Sequence, residues 1–113
     1  MITVYGIPNC DSVKKARRWL DEQSLPYQFH DLRRDGVPKE PLEHWINTFG
    51  WAEILNRRSK SWRELDPDIR AQMDNTRAYT AALEQPTLIK RPIVTTDTQV
   101  LVGFDPQKFE QLL

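Results

Sequence analysis

Cys10 is the residue whose type and setting point most directly to chemistry. It is the only cysteine in 113 residues, so no internal disulfide can form. It follows Ile7-Pro8-Asn9, where a β-branched run gives way to a helical period. A thiol at a helix start meets the first unpaired amides and the positive end of the helix dipole, and both favour a thiolate. Asp11 opposes that preference by like charge, while Lys14, one turn on, supports it. Ser12 can either donate its hydroxyl to the sulfur or cap the helix, and Pro8-Asn9 would fix the loop. Val13 stands where a two-cysteine oxidoreductase carries its second thiol. A lone thiol can attack a disulfide or accept an oxyanion, but an external thiol such as glutathione must then regenerate it.

The elements around that thiol can be read in order. Ile2-Thr3-Val4-Tyr5, closed by Gly6 and Pro8, is expected to be a strand. Val13, Ala16 and Leu20 recur at helical spacing and predict a helix over Asp11 to Glu22. Tyr27 to Leu32 follows as a second strand, and strand, helix, strand at this length implies a parallel βαβ unit. Leu42, Trp45, Ile46 and Phe49 trace one helical face that stops at Gly50. From about residue 51 to 90 the signals are short and helical: a turn at Trp51 to Leu55, Asp66-Pro67 as N-cap and first helical residue, and Ala78 to Leu83 before Pro86. The chain returns to strands at Ile93 to Thr95 and Val100 to Gly103, an antiparallel pair across Thr96-Asp97-Thr98-Gln99, and Asp105-Pro106 opens a closing helix through Phe109 and Leu112. A parallel pair first and an antiparallel pair last predicts an α/β chain: a thioredoxin-like mixed four-stranded sheet flanked by helices, with a helical insertion in mid-chain.

Composition narrows the classes. The length suits a single domain spanning 1–113. Sixteen Lys and Arg against sixteen Asp and Glu argue against a nucleic-acid or anionic-membrane binder driven by bulk charge, so any anion site must be local. Met1 to Cys10 lacks the pattern of a secretory signal, and a cytoplasmic monomer is expected.

Four stretches carry a resemblance to a known family: Tyr5-Gly6-Ile7-Pro8-Asn9-Cys10-Asp11-Ser12-Val13-Lys14-Lys15-Ala16, Asn56-Arg57-Arg58-Ser59-Lys60-Ser61-Trp62, Ile89-Lys90-Arg91-Pro92-Ile93 and Leu101-Val102-Gly103-Phe104. In this order they resemble the ArsC/Spx family, and within it the YffB branch. The resemblance implies the same thioredoxin-like fold with a helical insertion. It implies a cysteine nucleophile at Cys10 and oxyanion-binding arginines at Arg58, with Arg57 adjacent, and at Arg91. Guanidinium forks suit such roles. It implies that Pro92 is the proline held in cis beside the thiol, and that Asn9, Ser12, Lys14 and Pro92 border the substrate or glutathione. No bound cofactor is implied, and glutathione is the expected co-substrate beside a small-molecule or protein disulfide, or an oxyanion. The family's arsenate reductases carry a further arginine near the last strand, where this chain has Gly103-Phe104-Asp105, which counts against arsenate as substrate. Spx-type regulators carry a two-cysteine switch that Val13 removes. The alternatives are a non-enzymatic module that docks on RNA polymerase, as Spx-like proteins do, or a true arsenate reductase.

His30 and His44 are expected to be structural or surface residues, and one cysteine with two scattered histidines offers no metal-ligand spacing. Of the four tryptophans, Trp45 is expected in the core, and Trp51 and Trp62 flank the arginine segment, so that one of them is a candidate border of a peptide or glutathione groove. Lys14, Lys15, Arg17 and Arg18 are expected to form a solvated helix face, and Arg57 and Arg77 to be surface groups.

Overall fold

The computed structural model describes residues 1–113. Its contacts divide the chain into two compact units, 1–36 with 91–113, and 37–90. In the first unit, β1 (Ile2–Gly6), β2 (Tyr27–Asp31), β3 (Ile93–Thr95) and β4 (Val100–Val102) form one sheet in the order β2-β1-β3-β4. β1 runs parallel to β2, with Ile2 opposite Tyr27 and Gly6 opposite Asp31, and antiparallel to β3 with Tyr5 opposite Ile93. β3 and β4 are antiparallel, and Thr96 Oγ1 accepts the Thr98 and Gln99 amides in the hairpin between them. This is the mixed four-stranded sheet that the strand signals predict.

α1 (Asp11–Glu22) covers one face of the sheet, and α7 (Pro106–Phe109), continued by a 3-10 turn at Glu110–Leu112, packs beside it. Ala16 and Leu20 from the helix meet Val4, Val94 and Leu101 from the strands, with Phe109 sealing the cluster. Trp19 and Phe104 pack edge-on against Phe109, at ring separations of 5.5 and 5.0 Å. The period-2 strands and the 3.6-period helix thus bury their apolar sides against each other, which is the main favourable term for so small a layer.

The second unit is helical: α2 (Lys39–Phe49), α3 (Trp51–Ile54), α4 (Lys60–Arg63), α5 (Pro67–Ala71), α6 (Asn75–Glu84) and a 3-10 turn at Pro86–Leu88. It begins at Val37 rather than near residue 51, because α2 packs on α3 and α6. Leu42, Trp45 and Ile46 are the buried face of α2, and Ala78 and Ala82 that of α6. Gly50, at φ +84°, ends α2 and starts α3, a backbone position that favours glycine. Asp66 caps α5 through the Asp68 amide, as the Asp-Pro signal predicts. α6 starts three residues before Ala78, because Asp74 accepts the Arg77 amide and caps it there. Leu55 and Ile89 pair as a single antiparallel bridge that ties the two ends of the helical run. No helix is long and apolar enough to cross a membrane.

Candidate active site

Cys10 is the N-cap residue of α1, with extended backbone at φ −115° and ψ 130°. Its carbonyl accepts the Lys14 amide at 2.9 Å, closing the first turn. The thiol is partly exposed, and no side chain caps this helix end. First-turn amides therefore remain for a group at the helix start. Of the two roles open to Ser12, capping is not used; Ser12 is half-buried within the first turn, while Asn9 and Lys14 are exposed on either side of the thiol.

Sheet register brings a second group to this end of the sheet. The Tyr5–Ile93 pair is the last of the β1–β3 ladder, so Arg91 and Pro92 lie just beyond it, at the strand end from which the Cys10 loop leaves. The Arg91–Pro92 bond is cis, as the resemblance implies for this proline. Pro92 is buried, its carbonyl accepts the Gly103 amide at 2.8 Å, and the half-buried Arg91 has its Nε out of solvent. Asn9, Cys10, Ser12, Lys14, Arg91 and Pro92 thus share one end of the sheet unit.

Arg58 belongs to the helical unit and is exposed. Its amide donates to Asn56 Oδ1 at 3.0 Å and its carbonyl accepts Arg63 Nη1 at 2.9 Å, so the turn that carries it is fixed through its main chain. Arg57 is exposed, as expected of a surface group, with its guanidinium 5.7 Å from the Trp51 ring centroid. Trp51 in turn stacks on Trp62 at 5.8 Å and 16°. The two indoles flanking the arginine segment therefore pack on each other, and only chain reversal at the Ser59 cap of α4, a Ser-x-x-Trp signal, could have indicated it.

Sequence reasoning missed a third feature of the same sheet end. The turn after β2 is built on Asp31, a buried carboxylate that accepts the Arg33 and Arg34 amides at 2.9 and 3.0 Å. Asp35 Oδ2 returns to accept the Asp31 amide at 3.0 Å. The Arg34 side chain bonded to Asp35, and then the Asp31 amide, hold the Asp35 carboxyl below its ordinary value. His30 is structural, as expected: Nε2 lies 2.7 Å from the Gly36 carbonyl and its ring 5.0 Å from that of Tyr5. The Asp-x-x-x-Asp-Gly spacing was the available signal for this turn. Arg17 also departs from the solvated face expected of it; its guanidinium sits 4.1 Å over the Phe29 ring and Nε donates to the Tyr27 hydroxyl at 3.1 Å. Nowhere do three His, Cys, Asp or Glu side chains converge as a metal would require.

A mixed sheet in this strand order, a thiol at the first helix start, a cis-proline at the same sheet end and a helical segment between β2 and β3 define an arsenate reductase-like variant of the thioredoxin-like fold. The family model of ArsC matches residues 5–112, and the chain belongs to the ArsC family. It is 44% identical over 110 residues to an uncharacterised protein of Haemophilus influenzae, covering 97% of this chain and 96% of that one. The solved structure of a YffB protein superposes with a TM-score of 0.94 at 40% identity, over 98% of this chain and 97% of that chain. The global transcriptional regulator Spx of Listeria innocua is 26% identical over 115 residues, spanning 100% of this chain and 87% of the regulator.

Proposed function

We propose that this protein is a glutathione-dependent thiol oxidoreductase with Cys10 as its nucleophile. The observation that carries the reading is a single, partly exposed thiol at an uncapped helix start, with buried Val13 where a second thiol would stand. The Cys10 thiolate attacks one sulfur of a substrate disulfide, forming a mixed disulfide and releasing the other half as a thiolate that takes a proton from water. The thiolate of glutathione then attacks the substrate sulfur of that mixed disulfide, so that Cys10 leaves as thiolate and the substrate departs bonded to glutathione. Arg91, from the sheet end that carries Cys10, binds the anionic end of substrate or glutathione; the same role for Arg58 rests on the family resemblance alone. Asn9, Ser12, Lys14 and Pro92 border the bound molecule. Turnover of a glutathione mixed disulfide with reduced glutathione, followed as formation of oxidised glutathione, tests the reading. Wild type should turn over and Cys10→Ser should fall to the uncatalysed rate; full turnover in Cys10→Ser would sink it.

A second reading is favoured by the full-length similarity to Spx: a protein-docking module that acts on RNA polymerase without chemistry at Cys10. It requires capture of polymerase subunits by wild type and Cys10→Ser alike, and a capture containing none would dismiss it.

A further inference from the structure

Gly6 in β1 lies directly under Val13 in the first turn of α1, beside Cys10. A Cβ on Gly6 would stand 2.7 Å from Val13 Cγ2, closer than carbon atoms tolerate, and a tight 3.2 Å from Cγ1. The other three glycines have positive φ and open space around them; Gly6 alone is free of that backbone demand and is glycine because of what lies over it. Val13 cannot turn aside. It is fully buried, its branched side chain is confined to one dominant rotamer in a helix, and both γ-methyls already face Gly6. Nor can Gly6 retreat, since it pairs with Asp31 in the parallel ladder and its carbonyl accepts the Leu32 amide at 2.9 Å. What can yield is the first turn of α1, which begins at Cys10 and closes through the Lys14 amide.

We propose that Gly6 is a positioning residue for the Cys10 thiol: by admitting both γ-methyls of Val13 it seats the first turn of α1 and so fixes where the sulfur lies relative to the first-turn amides. The pair closes a short ring of chain, Gly6 through Val13, on whose rim the thiol sits. Val13 does more than replace a second thiol, because its branched volume in place of a smaller side chain creates the demand for glycine at position 6. The inference deepens the oxidoreductase reading, which supplies the reason for placing the thiol, but its test is independent of glutathione.

Alkylation of the folded chain by iodoacetamide, followed by intact mass, reads the thiol directly. Gly6→Ala should slow it about tenfold, since the rate follows the sulfur's place against the first-turn amides and its access to the reagent. Gly6→Ala with Val13→Ala should restore the rate to within about twofold of Val13→Ala alone, whatever melting temperature that double variant has. Wild-type rates in Gly6→Ala, or a double variant that stays slow, would overturn the assignment. If Gly6→Ala does not fold, Gly6→Ala with Val13→Ala carries the test, compared with Val13→Ala. A protein that alkylates as described but never reacts with oxidised glutathione would fail the oxidoreductase reading and leave the positioning role intact.

Discussion

The loop that carries Cys10 runs between β1, every residue of which pairs with β2, and α1, a helix of twelve residues; the turn that carries Arg58 leads from one four-residue helix to another. The first is held by other elements, through the parallel ladder to β2 and the packing of Val13 on Gly6. The second is held by neighbours: Asn56 Oδ1 on the Arg58 amide, Arg63 on its carbonyl and Ser59 capping α4. The group proposed as nucleophile is thus tied to the sheet ladder, and the group on the exposed turn to local caps. Arg91 follows the first pattern, with Pro92 buried and bonded to Gly103, and Arg58 the second.

The contrast can be broken most sharply in the sheet unit. Phe109 seals the cluster under β1, β3 and β4, and Phe109→Ala should cost about 3–5 kcal/mol in denaturant unfolding. A loss below about 1 kcal/mol would mean that the layer is not the anchor described. Next in size are the arginines. Arg91→Ala should lower kcat/KM for a glutathione mixed disulfide by about 10- to 100-fold, the worth of a charged hydrogen-bonded contact, and Arg58→Ala by less than about tenfold, seen mainly in KM. The reverse order would put the exposed turn at the centre of the chemistry. In the helical unit, loss of a cap should be milder: Asp66→Ala should cost about 1 kcal/mol, measured by thermal unfolding.

The smallest effect lies in the turn after β2. Because the Arg34 side chain and the Asp31 amide depress the Asp35 carboxyl in the folded chain, its stabilisation is present above the unfolded carboxyl value, near about pH 4, and is lost as pH falls through the lower folded value. Asp35→Asn should flatten that acid limb in unfolding at graded pH, while leaving the neutral range unaltered in slope. An unchanged acid limb would remove the turn's part in it.

Much of this was legible because it is local. The Val13, Ala16, Leu20 spacing marks α1, the Asp66-Pro67 and Asp105-Pro106 pairs mark α5 and α7, and Gly50 marks the end of α2. The cis bond at Pro92 followed from the resemblance, since nothing in the local residues distinguishes it from a proline at a strand start. What was not legible depends on how one element packs on the next. The requirement for glycine at position 6 exists only once α1 lies on β1. Arg17 looks like a solvated cation until β2 places Tyr27 and Phe29 beneath it. The stacking of Trp51 on Trp62 depends on how α3 and α4 fold back through Ser59.

The distribution of indoles gives the molecule a built-in optical asymmetry. Trp19 lies in the sheet unit, whereas Trp45, Trp51 and Trp62 lie in the helical one, two of them stacked nearly parallel at 5.8 Å. Three of the four indoles therefore report on the helical half, and the stacking of Trp51 on Trp62 is lost when α3 and α4 separate. A Trp19→Phe chain would emit from the helical half alone, so that emission and backbone ellipticity followed together would report whether the two halves melt as one.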